Sequence, residues 1–498
     1  MSLARAFSLS LLLLAASRVL GVLRDAVVAS HFGLSGHADA ALVALSYPDF
    51  TISLLWGAAV PAVMVPRMAG RPPAEIAAEA ARWSRLALAA FVIAGLASWL
   101  LRMPLLHLLA PGLHGADAQL AARTLGLGAL VALPAGAVTM VGAAALQSQG
   151  RLQWQYAGNV VFNLALIAGL LLAASLHAFG WVAAGIAAAS LARLGMMRGV
   201  VARLGRAPTG APRWPDRAGL HAALLALAAS GLTVLYTLAA RSFASSTGVG
   251  QLGVFQYAQR VGELPLHTVF AVAAALALAR LSAAEAAGDR AAALQRGRQW
   301  MRSMLRVALV LGACGMLAAP LVVRLVFGWG RMGPAGQAEL VRSMRWILAL
   351  MPLQAAQLVL AARLNSHRRI ADQVLGYGCG LLALFALGAL LPALWWRALA
   401  AYGAAYLVAA CVLWLRLALR NGDAEAANAR LLGLATPALA ALALVLAAWP
   451  ARTWGAMLMQ ALLALVALGG GAWFVLRDDA MGEFLRRAVS RRGARPPE

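Results

Sequence analysis

The sequence predicts an all-α polytopic membrane protein of about fourteen transmembrane helices: two parallel-repeat six-helix lobes followed by a C-terminal helix pair. Composition is the first ground. Of 498 residues, 62% are hydrophobic and only 12% charged, with a mean hydropathy of +0.77, which leaves too little polar surface for a soluble chain of this length. Second, apolar segments of about 20 residues, the length that crosses a bilayer as helix, recur from end to end. Third, the chain matches itself at a shift of 217 residues.

The first span is expected over residues 6–32. Arg5, an apolar run and the small residues before Arg18 imitate a signal peptide, but the apolar character resumes past Arg18 to Phe32, too long for an h-region. Hydropathy then places spans over 38–66, 84–111, 120–148, 155–176 and 179–201, which complete a first set of six. A second set follows over 219–246, 252–282, 303–328, 340–364, 371–393 and 396–418, and a final pair over 431–449 and 454–476. Proline and glycine recur inside these spans, which a membrane bundle tolerates because neighbouring helices satisfy the freed backbone.

Every basic side chain is arginine, and the formal charge is +24. The arginines collect in alternate loops: Arg67, Arg71, Arg82 and Arg85; Arg151; Arg193, Arg198, Arg203, Arg206, Arg213 and Arg217; Arg290, Arg296 and Arg298; Arg368 and Arg369; Arg420 and Arg430. The tail "RRAVSRRGARPPE" continues the series, as a solvated end facing anionic lipid. Most intervening loops ("SGH", "GLHGAD", "SLHAFG", "SSTGVGQ") are nearly free of arginine; Arg331 and Arg342 are the main exceptions. By the positive-inside rule both termini are cytoplasmic. This distribution, in short loops between apolar spans, argues against nucleic acid as the partner.

At the shift of 217, Arg24 falls on Arg241, Gly33 on Gly250 and Pro48 on Pro265; at 218, Pro134 falls on Pro352, Leu146 on Leu364 and Ser148 on Ser366. An even number of spans separates the copies, so the repeat is parallel, an arrangement in which transporters bind substrate between the halves. The expected domains are residues 1–206 and 207–422 for the six-helix lobes, 423–478 for the last helix pair and 479–498 for the basic tail.

Charges inside the spans concentrate in the first two helices of each half: Arg18, Arg24, Asp25, Asp39 and Asp49, then Arg241, Arg260 and Glu263. Ionised groups in a lipid-facing helix are costly and usually line a polar cavity. Local explanations stand beside that one. Asp25 can pair with its neighbour Arg24, Arg260 and Glu263 are spaced for an ion pair on one helix face, and an arginine of the first helix can bridge to Asp39. As repeat mates, Arg24 and Arg241 are expected to face one another across the cavity between the halves, while Asp39 falls on Gln256. Several arginines inside the spans suit an anionic ligand, phosphate above all, which guanidinium binds bidentately.

Enzyme motifs are absent from the sequence. A Walker A loop needs the lysine that this chain lacks, and no H-E-x-x-H or G-x-S-x-G occurs. Cys314, Cys379 and Cys411 lie in apolar spans without metal-ligand spacing, and the eight histidines are scattered. No cofactor is expected; a membrane potential or ion gradient is the candidate driving force.

The stretches "SRVLGVLRDAVVASHFG" (17–33), "ADAALVALSYPD" (38–49), "VPRM" (65–68) and "YAQRVGELP" (257–265) resemble the MurJ (MviN) family of lipid II flippases, within the multidrug/oligosaccharidyl-lipid/polysaccharide exporter superfamily. The resemblance implies a bacterial inner-membrane, alternating-access transporter of undecaprenyl-pyrophosphate-linked glycan, working in cell-wall synthesis among membrane lipids and wall-synthesis proteins. It also implies that the family's cavity residues fall on Arg18, Arg24, Asp39, Arg260 and Glu263, with Arg241 added by the repeat, and that the last two helices hold the lipid tail. The sequence departs from the family pattern after "YPD": an arginine pair and a glutamate–glycine step are replaced at Ile52, Ser53 and Gly57, and the usual acid before the second-half arginine is Gln259. A flippase for another lipid-linked glycan (an exopolysaccharide or O-antigen intermediate), a drug/cation antiporter of the superfamily, which should have an acidic cavity, and a non-transporting scaffold are the rivals.

Overall fold

The computed structural model describes residues 3–176, 178–205, 217–270, 273–274, 290–367, 369–421 and 426–476. The expected tail over 479–498, Arg206, Arg213 and Arg368, and most of the expected span beyond residue 270 lie outside the described residues.

Described residues that take regular structure are helical: α1 (Leu3–Phe32), α2 (Gly36–Ile52), α3 (Ala59–Met68), α4 (Pro73–Leu100), α5 (Arg102–Leu109), α6 (Gly115–Ser148), α7 (Gln153–Ser175), α8 (Trp181–Ala202), α9 (Arg217–Ser245), α10 (Gln251–Gly262), α11 (Arg290–Phe327), α12 (Pro334–Ala349), α13 (Met351–Ser366), α14 (Ile370–Leu390), α15 (Arg397–Asn421), α16 (Ala426–Ala448) and α17 (Trp454–Leu476). Twelve stretches of the described helices are long and apolar enough to cross a membrane. Two expected spans fall outside that dozen: α1, which carries Arg18, Arg24 and Asp25, and the span opening at Gln251, described only in part. The chain is a multi-pass, all-helical membrane protein.

Some boundaries differ from hydropathy. Helix α4 starts at Pro73, eleven residues ahead of the expected 84, and α11 at Arg290 rather than 303. Proline at the first turn suits α4 because the missing N–H is one that no helix start uses. Glu79 then accepts from Trp83 Nε1 and Arg82 Nη1, each at 3.1 Å, so the charged turn sustains helix that an apolar window does not detect. At 38 residues, α11 is about 57 Å long, well beyond the apolar thickness of a bilayer.

The described fold forms two compact units. The first comprises Met1–Tyr257, Val326–Gly333 and Leu384–Ala398. Its centre is α6, which packs against α2, α4 and α8. Small residues let it do so: side chains fill the space beside Gly126 (Trp99), Gly136 (Ile52) and Gly142 (Met197), where a β-carbon would collide. The second unit comprises Ala258–Leu325, Pro334–Ala383 and Leu399–Glu498. There the stretch Pro334–Ser366, repeat mate of α6, is the enclosed one; 83% of its most apolar window is buried, as in α6.

The two halves share backbone features near the repeat-mate prolines as well. A π-helical turn follows Pro48 at Ser53–Gly57, and another follows Pro265 at Leu266–Phe270. Gly33 and Gly250, also mates, both take left-handed backbone, φ 65° and 82°.

Candidate functional site

In α1, Arg24 and Asp25 are 4% and 0% exposed. Arg24 donates from Nε and Nη2 to Asp25 Oδ1, at 3.0 and 2.8 Å, so the local pair is formed. Arg18, one and a half turns earlier, is half-buried. Asn163 Nδ2 of α7 donates to the carbonyl of the buried Ser17 at 3.4 Å, and open space lies beside Gly21.

Asp39, 1% exposed, takes a role other than the arginine bridge. Its Oδ2 accepts the N–H of Gly250 and its Oδ1 the N–H of Gly253, each at 2.8 Å. The carboxylate therefore caps α10 from another helix, answering donors that a helix start leaves unmade and placing negative charge at the positive end of the helix dipole. Gly250 has to be glycine-like at this join: its φ is positive, and a β-carbon would lie 2.9 Å from the Leu34 backbone.

The cap is one of several bonds in the first unit between segments of the two sequence halves, the others made at the ends of α1, α5 and α9, at the start of α15 and in the loops that follow α5, α9 and α11. Gly112 N–H donates to Ser245 Oγ at 3.1 Å, Ser242 Oγ to the Leu108 carbonyl at 2.8 Å, and Arg331 N–H to the Ser30 carbonyl at 2.8 Å. Arg397 Nη1 reaches Ser246 Oγ at 3.3 Å, and its guanidinium lies over the Phe243 ring.

Arg241, 6% exposed, lies 4.7 Å above the ring of Phe50 on α2, a cation–π contact that keeps a guanidinium inside the protein. Arg193 of α8 stacks 4.4 Å over Phe162 in the same way. Ile52, where the family has the first arginine of its pair, is buried against Gly136, and Ser53 opens the π-helical turn.

The second unit holds Arg260, half-buried, and Glu263, 7% exposed. Glu263 Oε1 accepts from Tyr402 OH at 2.7 Å, Gln354 Nε2 at 2.8 Å and Gln259 Nε2 at 3.4 Å; Gln259 Nε2 also donates to Tyr402 OH at 2.8 Å. The departure at position 259 is thus chemically coherent. An amide supplies donors where an acid would set a second negative charge beside Glu263. Three uncharged donors satisfy this carboxylate, the condition for burying it.

The description "Lipid II flippase MurJ" belongs to the family model that matches this chain over residues 28–467. No curated protein matches it. Among solved structures, "Lipid II flippase MurJ, inward closed conformation" aligns with a TM-score of 0.72 at 15% identity, covering 93% of this chain and 97% of that one. An inward-facing multidrug-resistance MATE transporter of the MOP superfamily aligns at 0.62 and 18% identity, covering 82% and 95%. A MOP-superfamily transporter from Pyrococcus furiosus, whose description speaks of reversed binding-pocket polarity, aligns at 0.55 and 19%, covering 85% and 97%. At these identities the solved structures speak for the fold.

Proposed function

We propose a function on the premise that this chain belongs to the MurJ family. It is an alternating-access flippase that carries a polyprenyl-pyrophosphate-linked glycan, lipid II first, from the inner to the outer leaflet of the bacterial inner membrane. The observation that supports this most is cationic surplus inside apolar helices. The first unit keeps Arg18, Arg24, Arg193 and Arg241 within its helices against Asp25, Asp39 and Asp49; Asp25 neutralises Arg24, while Asp39 is committed to backbone amides. That surplus suits a pyrophosphate and disfavours a drug cation. Arg18, Arg24, Asp39, Arg241, Arg260 and Glu263 remain the proposed substrate-handling set, with Asp39 acting through the cap on α10.

Ile52 and Ser53 favour a second reading, a flippase for an exopolysaccharide or O-antigen intermediate. With two guanidinium groups fewer than the family pattern, the chain offers less to the charged peptide of lipid II and still enough for a pyrophosphate. A non-transporting scaffold is the third.

Expression in a bacterium depleted of its lipid II flippase separates these. Restored growth supports lipid II, restored polysaccharide export alone supports the second reading, and neither supports a scaffold. The proposed frame, six-helix lobes over 1–206 and 207–422, the pair over 423–478 as the path of the lipid tail, and both termini cytoplasmic, has its own test. Reporter fusions after residues 35, 115 and 250 should read periplasm, and those after 75, 210 and 290 cytoplasm. A cytoplasmic signal at 250 breaks the repeat.

A further inference from the structure

One arginine of the second unit lies outside the set above and is among the most buried cations in the chain. Arg345 of α12 is 5% exposed inside an apolar span. Its partners are neutral oxygens. Nε donates to the Met316 carbonyl at 3.2 Å, Nη1 to the Leu446 carbonyl at 2.8 Å and Nη2 to Gln460 Oε1 at 3.1 Å. These belong to three different helices: α11, α16 and α17.

The two carbonyls are special for a reason written in the sequence. Met316 stands four residues before Pro320, and Leu446 four residues before Pro450. In a helix each carbonyl accepts from the N–H four residues on, and proline has none. Arg345 therefore donates to one carbonyl inside α11 that Pro320 leaves without its helical partner, and to one in the last turn of α16, where the helix stops two residues short of Pro450. The second also gains from a cation at a helix C-terminus. Gln460, 0% exposed, extends the join by donating from Nε2 to the Trp449 carbonyl at 3.1 Å, across the connection between α16 and α17. Close packing accompanies the bonds: α16 presses Leu439 onto Gly312 of α11, and Gly471 of α17 lies against Val310.

We propose that Arg345 is the positioning residue of the C-terminal helix pair, holding α16 and α17 against α11 and α12 so that the pair is a fixed part of the path taken by the polyprenyl tail. The assignment rests on the tail path proposed above. The planar fork matters more than the charge, because only guanidinium reaches three oxygens on three helices at once.

The test compares the full-length protein with Arg345→Met, Arg345→Lys and the triple variant Arg345→Met, Pro320→Ala, Pro450→Ala. Thermal unfolding in detergent reads the clamp itself. Arg345→Met and Arg345→Lys should both melt well below the parent, and the triple variant should recover most of the loss, because its helices regain their own N–H donors. Absence of that recovery overturns the clamp. Flipping in reconstituted vesicles reads positioning, with fluorescent pyrophosphate-linked glycans on a long polyprenyl and on a short prenyl chain. Arg345→Met should lose flipping of the long-chain substrate several-fold more than of the short one. An equal loss with both makes Arg345 structural only and sinks the positioning role. Failure of the parent protein to flip either probe refutes the flippase reading instead, and the unfolding result stands apart from it.

Discussion

Asp39 on one helix and Gly250 at the start of another are joined by a single 2.8 Å bond, carboxylate to backbone N–H, and the same carboxylate holds Gly253 at equal distance. Helix α2 of the first half is thereby tied to α10, the corresponding helix of the second half. Neutral side chains could accept these bonds, but a carboxylate adds attraction to the helix dipole.

Asp39→Ala leaves two buried N–H groups without an acceptor, a loss of about 1–3 kcal/mol for each group. Asp39→Asn keeps one acceptor but turns the other oxygen into an NH2 donor, so one N–H keeps its bond and the other loses it along with the charge. Alanine should therefore loosen the arginine-poor end more than asparagine. A cysteine placed at Leu252, 1% exposed beside the cap, reports this in a background whose three native cysteines are replaced by alanine. Its labelling by a water-soluble maleimide should quicken several-fold with Asp39→Ala and modestly with Asp39→Asn. Equal rates in all three proteins would show that the cap does not hold this end together.

Arg24 and Asp25 make a different kind of pair, buried and adjacent in sequence. Removing one partner of a buried ion pair costs about 3–5 kcal/mol because the other is left charged without compensation. Arg24→Ala alone should accumulate less well, because Asp25, 0% exposed, loses its bonds to the guanidinium. The double variant Arg24→Ala, Asp25→Ala should regain membrane accumulation while flipping stays lost. Normal flipping by the double variant would make the pair structural and remove it from the substrate-handling set.

The membrane fold was legible because bilayer thickness and backbone satisfaction leave a hydrophobic chain few options. The charged helix starts were not: "PAEIAAEAARWSR", at the front of the third expected span, is helix held by Glu79 and carries no apolar window. Arg24 and Asp39 stood out as charges in apolar runs, but the role of Asp39 depends on a partner more than 200 residues away, which no local pattern encodes. Glu263 was visible, whereas Gln354 and Tyr402 were not; two of only seven tyrosines one helical turn apart, Tyr402 and Tyr406, were the available sign. Arg345 hid among the arginines of the second half. Prolines four residues beyond Met316 and Leu446 mark which carbonyls need a donor, but not which side chain supplies it.

For the proposed flippase cycle, the membrane potential is the simplest source of energy. One charge crossing 100 mV exchanges about 2.3 kcal/mol. With the cytoplasm negative, an outward-moving pyrophosphate travels with the field. The emptied first unit then carries its surplus of Arg18, Arg24, Arg193 and Arg241 over Asp25, Asp39 and Asp49, and the same field draws that positive charge back toward the cytoplasm. Both halves of the cycle are favoured by one polarity. Collapsing the potential in vesicles while holding the pH gradient should therefore stall flipping and leave the protein facing outward, seen as fast maleimide labelling at Leu252→Cys. Flipping at an unchanged rate in de-energised vesicles would reject this coupling and point to the substrate gradient, kept steep by consumption on the far side, as the force that drives the cycle.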